Sequence, residues 1–230
     1  MQESERKEKS SEGSHWGSLT RPFAHVSMDL ITDLPPVEGY NSILVVVDWG
    51  LSKGVNLCPC AKTLTWEGTA ILLWNNLFKR FGLPDKMISD RDPRFAAHAF
   101  QEVLKLLNIC SNLTTAYHPQ SDGATEWVNQ GIEAYLAIYC TSHPEDWLHS
   151  LSMLEFTHNN RRHAKKIHTP FELIQGDSPI SIPITFSHTK YVSIKEKMKW
   201  MINDREEALA THKLARTRIA NRKQSNFTPF

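Results

Sequence analysis

The stretch Ser42–Asp48, SILVVVD, constrains the fold more than any other part of the chain. Its unbroken run of apolar, mostly β-branched residues predicts a strand long enough to be buried in a core. Upstream, HVSMDLI reads as a first strand, and the turn-rich LPPVEGYN separates the two. A third strand is expected at Val55–Cys60. From Thr65 the period changes: Trp66, Ala70, Ile71, Trp74, Leu77 and Phe78 recur at helical spacing until Gly82 and Pro84 stop the segment. A short strand, KMISD, follows, and then a helix marked by Phe100, Val103, Leu104 and Leu107. The segment TTAYHPQSDGATE reads as a loop, so WVNQGIEAYLAIYC is expected to be a helix whose first turn lies near Glu126. Trp147, Leu148, Leu151, Leu154 and Phe156 mark another helix, Pro170 to Pro183 an irregular connection, and Ser193 to Lys223 a looser helix. Strands alternating with helices, the first strands joined by tight turns, imply an α/β layer with a mixed sheet.

A chain of 230 residues, 40% hydrophobic, buries one good core with tails. Residues 1–20 are rich in Glu, Lys and Ser and have almost nothing to bury, which predicts a disordered leader. The formal net charge of +1 carries no whole-chain basic signature, so a nucleic-acid reading has to rest on local clusters and a metal site. Cys58, Cys60, Cys110 and Cys140 lack CxxC spacing and suit free thiols in a reducing compartment; Cys58 and Cys60, two apart on a strand, share a side and pack. No apolar run approaches the roughly 18 residues that span a bilayer, and the N-terminus is polar, so a soluble, non-secreted chain is expected.

Three carboxylates stand out. Asp29 sits between Met28, Leu30 and Ile31 in an apolar strand, which costs stability unless it is paired or metal-bound. Asp90 ends the KMISD strand, and Glu126 starts a helix, so the three converge at one sheet edge if the strands are neighbours. Two divalent ions held about 4 Å apart by such groups activate an attacking oxygen and neutralise the phosphate. Hard Mg²⁺, which prefers oxygen and keeps several waters, suits that site. Against it, 25 acidic residues guarantee some triad by chance; a helix-start glutamate is worth under about 1 kcal/mol against the macrodipole, and an aspartate before Arg91 serves as a turn initiator. Arg161, Arg162, Lys165 and Lys166, with His163 among them, form a basic cluster that either neutralises phosphates or is a solvated helix end. Between Thr211 and Gln224, Lys213, Arg216, Arg218, Arg222 and Lys223 occur without an acid, as a DNA-tracking helix or a solvated face.

SMDLITDLPP, GYNSILVVVD, FGLPDKMISDRDPRF, TTAYHPQSDGATEWVNQ and EFTHNNRRHAKKIHTPFELIQG resemble, from Arg21 to Phe230, the integrases of Ty3/gypsy-type LTR retrotransposons, especially fungal ones, within the retroviral integrase superfamily. Asp29, Asp90 and Glu126, the last two with 35 residues between them, match the family's three carboxylates. The resemblance implies a ribonuclease-H-like fold: a mixed five-stranded sheet flanked by helices over 21–185, with a helical linker at 186–230 leading toward a C-terminal domain. It implies two-metal catalysis with Mg²⁺ (Mn²⁺ as substitute), 3′-end processing, strand transfer into target DNA, a homo-oligomer and a nuclear site of action. It implies too that the loop of Tyr117, His118, Pro119, Gln120, Ser121, Asp122 and Gly123 contacts the DNA end. Asn129, one turn after Glu126, faces the same groove. Trp127 stands where relatives carry Arg, no His-His-Cys-Cys module precedes Arg21, and relatives continue past the FTPF end. The alternative reading is therefore a decayed or domesticated remnant that binds DNA or self-associates without catalysis.

Overall fold

The computed structural model describes residues 21–114, 119–142, 146–162, 167–179 and 192–225, apart from the side chains of 119–127 and of scattered positions later in the helices. The expected leader, 1–20, lies outside the described residues. Five strands, β1 (His25–Ile31), β2 (Ser42–Asp48), β3 (Val55–Cys60), β4 (Lys86–Ser89) and β5 (Cys110–Leu113), form one sheet in the order β3-β2-β1-β4-β5. The first three pair antiparallel through the connections 32–41 and 49–54, whereas β4 and β5 add in parallel beyond β1. The mixed five-stranded α/β sheet expected above is present.

Every residue of β2 is buried, and the sheet explains why: it divides the interior in two. Ile43, Val45 and Val47 face α5 (Pro119–Ser142) and α6 (Trp147–Asn159). Leu44 and Val46 face the opposite layer, built from α1 (Trp66–Leu73), a π-helical turn (Trp74–Phe78), α2 (Lys79–Phe81), α3 (Pro93–Ala96) and α4 (His98–Leu106). Burying each such side chain contributes roughly 1.5–3 kcal/mol, so a strand apolar at consecutive positions is stable only between two layers. Gly82, at φ +78°, ends the first helical stretch in a conformation few other residues adopt. Cys58 and Cys60 are buried side by side in the second layer, as their spacing predicts.

The outer edge of β3 is closed by α6 rather than by another strand. Asn159 accepts from Val55 N and donates to Val55 O, both at 2.8 Å, while Glu155 Oε2 accepts from Leu57 N at 2.7 Å. Two side chains one helical turn apart thus stand in for a sixth strand and keep the edge from pairing with another chain. Trp147, fully buried, donates its indole N–H to Pro35 O at 2.7 Å and anchors the start of α6.

Two expectations are corrected. The connection at 170–183 is not wholly irregular: α7 (Pro170–Gln175) occupies its start. Thr169 and Glu172 form a reciprocal capping box there, and Gly176 closes the helix in the left-handed region. The segment PQSDGAT is helical, so α5 begins at Pro119 and Glu126 lies two turns inside it rather than in its first turn. Proline fits a first turn, where its missing N–H would have no partner, and one internal glycine costs only about 1 kcal/mol. The last helix, α8 (Val192–Ser225), lies against α5 and α6, burying Thr211 and Ala215. No helix among the described residues is long and apolar enough to cross a membrane.

Candidate active site

The parallel pairing of β1 with β4 sets the site. Val26 is opposite Met87, Ser27 opposite Ile88 and Met28 opposite Ser89, so the next residue on each strand is a carboxylate, Asp29 and Asp90. Both lie toward the carboxyl ends of parallel strands, where α/β sheets open to ligands. Together they line an open cleft of about 410 Å³, with Ser27, Ile88 and Thr114 beside them on the sheet and Asn129, Gln130 and Glu133 opposite on α5.

Asp29 is half-buried, and it is held from its own strand and from α5. Oδ1 accepts from Leu30 N at 2.8 Å, and Oδ2 accepts from the Asn129 amide. Asn129 is 6% exposed, and its Oδ1 is buried without a hydrogen-bond partner. Asn129 lines the cleft, as its place one turn after Glu126 predicts, and it is also the group that fixes Asp29. Asp90 is exposed, and its Oδ1 accepts from Asp92 N at 3.1 Å. Asp92, two residues on, is a different kind of acid: it caps α3 and binds Arg94 through both oxygens, at 2.6 and 2.5 Å. That ion pair holds the Asp92 carboxyl below its ordinary range.

Positions 126, 129, 130 and 133 share one face of α5, because residues three, four and seven apart stack along a helix. Glu126 is therefore one turn before Asn129, although its side chain, like that of Trp127, lies outside the described residues. Gln130 and Glu133 were missed by the sequence reading; the same spacing counted from Glu126 finds them. Burial in the cleft pushes the Glu133 carboxyl up, and the nearby Asp29 charge adds to the shift.

Of the other expected contacts, Arg161 and Arg162 lie away from this cleft. Arg161 and Arg162 follow α6, whose His158 meets Lys53 O at 3.3 Å; that places them by the β2–β3 turn, at the far end of the sheet from Asp29. Lys213 and Arg218 are exposed on α8, and the Arg216 side chain lies outside the described residues. Tyr117, His118, Lys165 and Lys166 lie outside them altogether, while Gln120 and Ser121 are in the first turn of α5 without described side chains.

Oxygen donors alone suit a hard cation. Asp29 and Asp90 supply carboxylate oxygens, Asn129 holds an amide oxygen buried without a partner, and the cleft is open to water, which fits Mg²⁺ retaining most of its hydration. Among the described residues no three His, Cys, Asp or Glu side chains cluster as a complete metal site.

No family model matches the chain. Among curated proteins, the Tf2-3 and Tf2-4 transposon polyproteins of Schizosaccharomyces pombe are 37% identical to it over 164 residues, 71% of this chain. The match spans 12% of each polyprotein's length. Among solved structures, the BIV integrase catalytic core domain is 25% identical and superposes with a TM-score of 0.51, covering 67% of this chain and 95% of that one. Two further structures share the fold. The simian T-cell lymphotropic virus intasome in complex with PP2A regulatory subunit B56 gamma is 21% identical, with a TM-score of 0.55 over 74% of this chain and 62% of its own. The HTLV-2 integrase catalytic core domain in complex with magnesium is 19% identical, with a TM-score of 0.53 over 66% and 97%. The ribonuclease-H-like sheet, the polyprotein relatives and the carboxylate spacing agree, and the chain belongs to the Ty3/gypsy-type branch of the integrase catalytic cores.

Proposed function

We propose that the chain is the catalytic core of a polynucleotidyl transferase that processes the 3′ ends of retrotransposon DNA and transfers them into target DNA, using Asp29, Asp90 and Glu126. The observation that carries this reading is the cleft itself: two carboxylates side by side on parallel strands, one of them held by a helix that also carries the matching glutamate. Divalent magnesium, present in the HTLV-2 core, would be held here by Asp29 and Asp90 with Glu126, and it supplies charge neutralisation at the phosphate and activation of the attacking oxygen. The chain's own residues do the rest. Asn129 fixes the Asp29 carboxylate so that its remaining lone pairs face the cleft, and Asp92, tied to Arg94, keeps the strand end after Asp90 rigid. The cleft then holds a phosphodiester in line with an incoming hydroxyl, a water in end processing and a DNA 3′-hydroxyl in strand transfer.

DNA is the proposed substrate. Contacts are assigned to Tyr117, His118, Gln120 and Ser121 at the start of α5 and to Arg161, Arg162, Lys165, Lys166, Lys213, Arg216 and Arg218 as phosphate partners. Assembly into a homo-oligomer in the nucleus completes the reading; the relatives that support assembly are an intasome and a trimeric form.

The test is a disintegration assay on a branched DNA mimic of the integration product with Mg²⁺ or Mn²⁺. Resolution of the branch, abolished by Asp29→Asn, Asp90→Asn or Glu126→Gln, is the expected result. Failure to resolve it, with or without Trp127→Arg, refutes the catalytic reading for this chain as it stands; rescue by that substitution identifies Trp127 as the lesion.

A further inference from the structure

The face of the sheet that carries Asp29 and Asp90 does not end at the cleft. Side chains alternate along each strand, so Lys86 and Ile88 of β4 share that face with Ser27 of β1, and the register of β4 with β5 adds Cys110 beside Lys86 and Asn112 beside Ile88. The opposite face of β5 packs: Leu113 joins the α1/α4 layer. On the cleft side Cys110 and Asn112 are exposed. From the carboxylates this strip runs down four residues of β4, about 13 Å at the usual strand rise, and ends at a cation. The Lys86 ammonium lies 5.8 Å from the Trp49 ring centroid, and with the Asn112 amide turned to satisfy both its groups, the amide oxygen accepts from it at 3.3 Å. Below Asp29 and Asp90 the strip carries no carboxylate, and the acid that precedes Lys86, Asp85, is held by Arg21 at 2.7 Å.

We infer that this strip is a lane for one strand of the DNA substrate, running from the carboxylate cleft past Thr114 and Asn112 to Lys86, with Ser27 and Ile88 buried beneath it. The inference rests on the transferase reading above. Three features argue for a nucleic-acid occupant. The strip is continuous with the cleft through Ser27, Ile88 and Thr114. Its accessible groups include the Asn112 amide and, at the cleft, the Thr114 hydroxyl, both suited to phosphate and sugar oxygens. Its charge changes sign along its length, from the carboxylates, where a cation would bridge to phosphate, to an ammonium that needs no bridge. A strip about 13 Å long accommodates only a short run of nucleotides between the reacting phosphate and the one nearest Lys86, because each strand winds about the duplex axis as it rises about 3.4 Å per nucleotide.

Cys110 makes the lane testable, because it is exposed and adjoins Lys86 while Cys58 and Cys60 are buried. The purified chain is incubated with branched DNAs carrying a disulfide tether at successive positions from the branch, and the same reactions are scored for branch resolution. A mixed disulfide confined to a narrow window of positions a few nucleotides from the junction and lost in Cys110→Ser is expected. Lys86→Gln should lower the slope of log affinity against log salt by about one, and Asn112→Asp, an exposed change that leaves the core alone, should weaken binding several-fold. If the branch is resolved but Cys110 crosslinks at no position, or equally at all, the strip is a solvated sheet face and the lane is wrong while the transferase stands. If the peak appears without resolution, the lane holds and the chemistry fails; if neither appears, both fall. Unchanged salt slope and affinity in the two charge variants also overturn the lane.

Discussion

Replacing Asn159 by alanine should destabilise the whole sheet through one backbone position. Asn159 is 4% exposed and Val55 1%, so neither end of the clamp reaches water. The substitution removes two hydrogen bonds of 2.8 Å and leaves the Val55 N–H and C=O buried without partners. Each unsatisfied buried group costs about 1–3 kcal/mol, so the total is about 2–5 kcal/mol once partial relaxation is allowed. For a chain of this size 1 kcal/mol moves the melting temperature by about 2–4 °C, which puts the expected fall at roughly 7–14 °C for the middle of that range. Asn159→Asp should be no milder, because it keeps an acceptor for Val55 N but turns a second oxygen toward Val55 O. Urea unfolding followed by far-ultraviolet circular dichroism measures the loss, and light scattering checks whether the uncovered β3 edge promotes association. A melting temperature within about 2 °C of the parent for Asn159→Ala, near 1 kcal/mol or less, would show that water or a shifted α6 satisfies the edge and that the clamp is not what closes it.

Two other substitutions separate roles that the sequence leaves merged. Asn129→Leu removes the donor to Asp29 Oδ2 and should weaken Mg²⁺ binding about 10–100-fold by calorimetry, as loss of a ligand-orienting partner does, with metal-free DNA binding unchanged; weakened DNA binding at unchanged metal affinity would return Asn129 to the role of a DNA contact. Burial holds the Glu155 carboxyl above its ordinary value of 4.5, so its favourable contribution is complete below that pH and is lost as pH rises through the raised folded value. Glu155→Gln should therefore gain melting temperature relative to the parent as pH rises above 4.5, and parallel curves would remove burial as the cause.

How much of the fold was legible depends on whether the signal was periodic or local. The apolar run of β2 and the helical stripe from Trp66 to Phe78 encode burial directly, because the faces they present are set by chain geometry. The π-helical turn within that stripe was not readable: Asn76 donates its amide to Leu72 O at 2.9 Å, and a polar residue in a helix announces no such bond in advance. The start of α5 was hidden for the opposite reason. Pro119, Ser121, Asp122 and Gly123 each favour turns, yet proline and small polar residues are also what a helix's first turn tolerates, and packing decides between the two. In α7 the signal was present in four letters, TPFE, and was outweighed by the Gly, Pro and Ser that follow it.

The site shows a sharper limit. Asp29 and Asp48 have the same local sequence character, an acid at or within an apolar strand, yet they differ entirely in use. Asp48 is completely buried, and the turn after β2 consumes its oxygens: Gly50 N and Leu51 N donate to Oδ1, while Ser52 N and Ser52 Oγ donate to Oδ2 at 2.8 and 2.6 Å. All four donors come from within four residues, which is the economy of a structural turn. Asp29 takes a donor from its neighbour and another from a helix one hundred residues later, and it remains half-exposed on an open cleft. A carboxylate is available for chemistry only where its donors leave lone pairs facing a space that a substrate can enter. The sequence names the acid, but the donors and the space are tertiary facts. Distant donors are also what tie the site to the rest of the fold: moving α5 by even one turn would take Asn129 away from Asp29, so the long helix and the sheet edge have to be kept in register for that carboxylate to be held.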